Sequence, residues 1–149
     1  MREELEFLEY LYNIVKLEKD ALSRMIKMRD KNDLLNNILK EQIGIYKRFG
    51  ISIEKMIENR KKKVEDLSIF AKMASHVGAK FVTSKDNDID RIFNILMQRY
   101  QVCIEEVNSK VQENKITSKT ILNLTNRFIE FQNRNINTLN KAYKLFDKS

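Results

Sequence analysis

Residues 64–87 read VEDLSIFAKMASHVGAKFVTSKDN, and this stretch separates two pairs of long helical patterns. Within it, residues 65–76 predict a short helix, and Gly78 suits the end of that helix. The long patterns on either side are joined pairwise by short connections. Two helical hairpins joined by one long connection are the layout of a four-helix bundle with a crossover. We therefore predict an all-α bundle of two antiparallel helical hairpins joined by a long crossover that contains a short helix.

Apolar residues recur at helical spacing in four segments, which predict helices at about 2–29, 33–63, 88–113 and 118–146 of a single domain, 1–149. The chain has no proline, so long helices meet no forced break. The predicted core faces are Leu8, Leu11, Val15, Leu22 and Met25 in the first helix; Leu34, Leu35, Ile38, Ile45, Phe49, Ile53 and Met56 in the second; Ile89, Ile92, Phe93, Leu96, Tyr100, Cys103 and Val107 in the third; and Ile121, Leu124, Phe128, Leu139, Ala142 and Phe146 in the fourth.

Composition narrows the class of protein. Of 149 residues, 42% are hydrophobic and 33% are charged, which is too apolar for a disordered chain and normal for a globular domain. No apolar run approaches the roughly 20 residues of a membrane span. A single cysteine cannot form an intrachain disulfide. We therefore expect a cytoplasmic protein without a disulfide.

Polar residues interrupt the predicted core near the middle of each helix. Glu18 lies on the apolar face of the first helix, and Gln42, Tyr100, Gln132 and Asn135 lie at similar depth in the others. A buried carboxylate needs a partner, a proton or a metal, because an isolated buried charge is costly. The alternative is a structural role in which the polar residues fix helix register. The structural role predicts that Glu18→Leu or Gln132→Leu keeps or raises the stability of the fold.

The end of the second helix is strongly basic, with Arg60, Lys61, Lys62 and Lys63 in succession. In an antiparallel hairpin these residues lie beside the acidic start of the first helix, which carries Glu3, Glu4, Glu6 and Glu9. The basic run is therefore either a salt-bridged helix end or a site for phosphate or an anionic membrane surface. It has no interleaved aromatic residues and no known nucleic-acid motif, so we do not expect a nucleic-acid partner.

Two local segments add a resemblance to a known group of proteins. Residues 72–80 read KMASHVGAK in the crossover, and residues 128–136 read FIEFQNRNI in the last helix. With these segments and its two-hairpin layout, the chain resembles small ferritin-like four-helix-bundle proteins of unknown function from spore-forming Gram-positive bacteria. The resemblance implies a ferritin-like bundle and a role linked to sporulation or stress.

The di-iron pattern of ferritin-like bundles is only partly present. It takes a glutamate from each of two helices and Glu-x-x-His from each of the other two. Glu18 could serve as one glutamate, but Gly44 and Asn133 stand where motifs begun by Glu41 and Glu130 need histidine. The only histidine of the chain falls in the crossover. We therefore expect no metal or other cofactor, with iron or manganese bound by those three glutamates as the alternative.

These observations favour a non-enzymatic structural or interaction module that forms a homodimer or binds a protein partner. Cys103 lies on an apolar face, which is typical of a structural cysteine. Two alternatives stay open. One is a metal-dependent oxidase or iron-handling protein, and the other is a binder of phosphate or anionic membranes through the basic end of the second helix.

Overall fold

The structure, a computed structural model, describes residues 2–28, 34–61 and 89–147. These residues form four long helices and no strand: α1 is Arg2–Met28, α2 is Leu34–Lys61, α3 is Ile89–Glu113 and α4 is Lys119–Asp147. The all-α, four-helix prediction is confirmed, and the predicted bounds lie close to the observed ones. The predicted crossover at 64–87, with its short helix, lies outside the described residues.

Neighbouring helices of the bundle run antiparallel. α1 packs mainly on α2 and α3 mainly on α4, and the two pairs meet where α1 touches α3 and α2 touches α4. Arg60 near the end of α2 reaches Glu4 near the start of α1, with 3.4 Å between Nε and Oε1. Asn114, just after α3, donates to the carbonyl of Glu3 at 3.0 Å. The end of α2 and the start of α3 therefore lie at opposite ends of the bundle.

A tight turn joins α3 to α4. Lys115 adopts a left-handed backbone with φ of 52°, and the Ile116 amide donates to the Val111 carbonyl at 3.2 Å. This hydrogen-bond pattern is the Schellman motif that commonly ends helices. Ser118 then accepts a hydrogen bond from the Ile121 amide at 3.4 Å, and this contact caps the start of α4.

The core lies along the four inward faces. The predicted faces of α1, α3 and α4 are buried wherever their side chains are described, which excludes Ile89 and Phe146. The predicted face of α2 was partly wrong, because Leu34 is 44% exposed while Leu39, Tyr46 and Ile57 are fully or almost fully buried. The buried face of α2 is centred on Tyr46, whose hydroxyl donates a hydrogen bond inside the bundle.

The four helices carry too many charged residues for a membrane span. Each described helix is long, but none contains a window apolar enough to cross a bilayer.

Candidate functional site

A buried ion pair joins the middle of α1 to the middle of α3. Arg99 donates from Nε and Nη2 to the same carboxylate oxygen of Glu18, Oε2, at 3.1 and 2.9 Å. The arginine side chain is 5% exposed and the glutamate side chain 1%. Hydrogen bonds between two charged groups are stronger than neutral ones. Glu18 therefore faces the core, and its charge is engaged by a fixed cation.

The environment of Glu18 is strongly dehydrated. Burial raises the pKa of the Glu18 carboxyl, and the Arg99 guanidinium opposes that rise. The second oxygen, Oε1, has no hydrogen-bond partner among the described residues. Because arginine stays protonated in proteins, removing the carboxylate would take away the counter-charge that Glu18 supplies to the buried guanidinium.

Two tyrosine–glutamine pairs connect the remaining helices. The Tyr100 hydroxyl on α3 donates to Gln42 Oε1 on α2, across the centre of the bundle. The Tyr46 hydroxyl on α2 donates to Gln132 Oε1 on α4 at 3.0 Å, and Asn135 Nδ2 donates to the same oxygen at 3.4 Å. We call the following set the polar layer: Glu18, Gln42, Tyr46, Arg99, Tyr100, Gln132 and Asn135. All seven residues are buried, and together they link all four helices.

Burial keeps the two tyrosines of the polar layer and the nearby Cys103 thiol in their neutral forms. Burial raises the pKa values of Tyr46 and Tyr100 well above their ordinary value, and the nearby Glu18 carboxylate adds to both shifts. Burial likewise raises the pKa of the Cys103 thiol. Gln132 Nε2 lies 3.7 Å from Cys103 Sγ, a distance suited to a weak hydrogen bond. A protonated, buried thiol is a poor nucleophile, which fits a structural role.

The structure adds two members that sequence reasoning missed, Tyr46 and Arg99. Arg99 lies on the same helix face as Ile92, Leu96 and Cys103, so the helical spacing already indicated a buried position. Arginine was not included because it is normally found at the protein surface. Tyr46 follows Gln42 by four residues and therefore shares its helix face. Gln42, Tyr100, Gln132 and Asn135 are all buried, and hydrogen bonds join Tyr100 to Gln42 and Asn135 to Gln132.

The three glutamates considered as metal ligands are not brought together. Glu41 and Glu130 are exposed, whereas Glu18 is buried and bound to Arg99. Among the residues in the four helices and the α3–α4 turn, no group of three or more His, Cys, Asp or Glu side chains could hold a metal ion. The positions of Glu41 and Glu130 therefore do not fit a shared metal site with Glu18.

The basic end of α2 is only partly within the described structure. Arg60 is half-buried and forms the ion pair with Glu4 that the antiparallel hairpin predicts. The side chain of Lys61, together with Lys62 and Lys63, lies outside the described residues. The one described member of this anion-binding candidate is therefore already engaged by a carboxylate.

The chain matches no protein-family model, no curated protein and no solved structure. Arguments about function therefore depend on the chemistry of its own residues. For the core, the argument depends on the polar layer, whose buried ion pair and hydrogen bonds link the four helices.

Proposed function

We propose that this protein is a non-enzymatic structural or interaction module, built on a ferritin-like bundle without a complete di-iron site. The observation that carries the proposal is the Glu18–Arg99 pair. A bundle that binds metal needs free carboxylates in its core. Of the three candidate ligands Glu18, Glu41 and Glu130, Glu18 is the buried one, and it receives two hydrogen bonds from a guanidinium.

The polar layer has a clear structural use. If α1 slid by one turn relative to α3, the buried ion pair between Glu18 and Arg99 would be broken, which is costly. The Tyr100–Gln42 and Tyr46–Gln132 hydrogen bonds likewise favour one register of α2 against α3 and α4. A shift of α2 would leave these buried polar groups unpaired, which is costly. The layer therefore favours one register of the four helices, which presents a fixed outer surface to a partner.

The proposal also covers the oligomeric state, the location and the biological role of the protein, and of these the role is what the family resemblance implies. We propose a homodimer or a complex with a protein partner, in the cytoplasm, with a role in sporulation or stress. Sedimentation equilibrium of the purified chain tests the homodimer, and a monomer at all concentrations would leave only the partner form of the proposal.

Metal content is the decisive experiment against the rival oxidase or iron-handling function. The chain is purified without a histidine tag, loaded anaerobically with iron(II) or manganese(II), desalted and weighed by native mass spectrometry. We expect no ion retained in stoichiometric amount. One or two ions held per chain, and lost in Glu18→Ala, would overturn the proposal and make Glu18 a ligand.

A further inference from the structure

A groove between α2 and α4 gathers three arginines on the outside of the bundle. Arg48 reaches it from α2, and Arg127 and Arg134 reach it from α4. The two α4 residues are seven positions apart, which places them on one helix face two turns from each other. Phe49 supplies an aromatic part of the wall. The groove has a volume of about 410 Å³, which falls within the range of about 300–1,000 Å³ usual for small-molecule sites.

In the described part of the chain, the three guanidiniums are not paired with any carboxylate. All three are exposed, and among the described residues none of them forms a hydrogen bond or an ion pair. Glu130 lines the same groove, three residues after Arg127 and four before Arg134, yet it pairs with neither. Three cations against one carboxylate leave the groove with a charge of +2 (3 − 1). Arg60 and Arg99, by contrast, are both bound to glutamates.

Arginine is well suited to bind phosphate oxygens. Its planar guanidinium presents several N–H donors in a fixed fork that matches two oxygens of one phosphate group. Arginines from two different helices can contact an anion from opposite sides, which a single basic helix face cannot do. The hydroxyl of Ser52, also in the groove wall, offers a further neutral donor.

We propose that this groove is a binding site for a small phosphate-bearing anion with two or more negative charges, such as pyrophosphate or a phosphate monoester. The site is separate from the basic end of α2 and does not depend on the use of the polar layer. Arg48 and Arg127 bind the anion from the two sides of the groove, and Arg134 adds a third contact along α4.

Calorimetric titration with pyrophosphate at constant ionic strength tests this site on the full chain. We expect saturable binding of one anion per chain and at least about tenfold weaker binding in Arg127→Gln, because a hydrogen bond to a charged group is worth about 1.5–3 kcal/mol. Arg127→Lys keeps the charge but loses the fork, so we expect intermediate affinity. The matched control is Lys141→Gln, an exposed cation on the same helix outside the groove, which we expect to bind as the parent does.

Three outcomes would overturn the proposal. One is no saturable heat with pyrophosphate, in a chain whose circular dichroism shows the bundle intact. Another is an equal loss in Lys141→Gln and Arg127→Gln, which would mean diffuse attraction to the net charge. The third is binding of anionic vesicles or single-stranded RNA, and not of pyrophosphate, because that would assign the arginines to a macromolecular surface instead of a small anion.

Discussion

Arg99 directs two hydrogen bonds to one oxygen of Glu18, while the other oxygen, Oε1, has no hydrogen-bond partner in the described part of the chain. The pair is therefore buried without the two-oxygen fork that makes an arginine–carboxylate contact strongest. The Coulomb attraction between the two charges therefore offsets only part of the free energy that their dehydration costs. It follows that removing one partner harms the fold more than removing both.

A double-mutant cycle measures this asymmetry. We expect Glu18→Leu and Arg99→Met each to lower the free energy of unfolding by about 3–5 kcal/mol, because each removes one half of a buried ion pair. The double variant should regain most of that loss, and it should be neutral or up to about 4 kcal/mol more stable than the parent. Urea unfolding followed by circular dichroism gives the three values.

The control for this cycle is Lys141→Met, which changes an exposed cation on α4 and should stay within about 0.5 kcal/mol of the parent. If the losses of the two single variants simply add in the double variant, the pair is not coupled and this account of it is wrong. The sequence alone gave a different expectation for Glu18→Leu, namely unchanged or higher stability. The structure changes it by placing Arg99 opposite the carboxylate.

Helical spacing was enough to place most of the polar layer but could not identify its partners. It gives the side of a helix on which a residue lies, so Glu18, Gln42 and Gln132 were correctly expected inside. The partner of Glu18 is 81 residues away in the chain, and only the packing of α1 on α3 brings the two together. Spacing therefore located the buried carboxylate without showing whether a metal, a proton or a cation balances it.

The face of α2 was the least certain for a related physical reason. Adjacent residues on a helix differ by about 100° in direction, so a rotation of that size exchanges Ile45 for Tyr46 at the core. Apolar residues alone favoured the face with Leu34 and Ile45. The structure selects the other face, where Tyr46 contacts Phe131 edge-on at 4.9 Å between ring centroids and its hydroxyl reaches Gln132.

The Tyr46–Gln132 hydrogen bond gives a second prediction. Gln132→Leu leaves the Tyr46 hydroxyl buried without its acceptor, so we expect a loss of about 1–3 kcal/mol in unfolding free energy. Adding Tyr46→Phe removes the stranded hydroxyl and should recover part of the loss. The control is Asn137→Ala, an exposed change on the same helix. An unchanged midpoint of urea unfolding in Gln132→Leu would mean that the bond contributes nothing.

Gly44 provides a test on the outer face of α2. A Cβ built at this position meets no atom within 4 Å, so alanine fits without any adjustment. Because glycine is about 1 kcal/mol worse than alanine inside a helix, Gly44→Ala should raise the unfolding free energy by about that amount. Gly50→Ala is the comparison, with a contact of 3.8 Å to Val15 that is ordinary van der Waals packing. A lower melting temperature in Gly44→Ala would show that the position is occupied by something outside the described structure.

At Lys115 we expect glycine to stabilise the fold, because this residue has a left-handed backbone conformation that favours glycine. Its φ of 52° strains an L-residue, and the adjoining hydrogen bond from Ile116 to Val111 holds it there. We expect Lys115→Gly to stabilise the fold by up to about 1 kcal/mol, in contrast to a glycine placed inside a helix. Thermal unfolding of Lys115→Gly beside Lys110→Gly, five residues earlier within α3, makes the comparison, and destabilisation by both would contradict the turn geometry.

Alkaline titration tests the burial of the tyrosines. Hydrogen bonding to Glu54 and partial burial raise the pKa of Tyr12 to about 12, and burial raises the pKa values of Tyr10, Tyr46 and Tyr100 as well. In the unfolded chain a tyrosine ionises near pH ~10. A folded pKa above the unfolded one contributes stability that is complete below pH ~10 and is lost as the pH rises toward the folded value. The fold should therefore weaken between pH ~10 and ~12.

We expect tyrosinate absorbance from Tyr10, Tyr46 and Tyr100 to appear together with the loss of helical circular dichroism, because burial raises the pKa values of these three hydroxyls in the folded chain. Tyr12→Phe should remove the earliest of the four ionisations and leave the cooperative step in place, since Tyr12 lies nearest the surface. Tyr100→Phe should reduce the amplitude of the cooperative step. Gradual ionisation of every tyrosine near pH ~10 in a fully helical chain would contradict the buried polar layer.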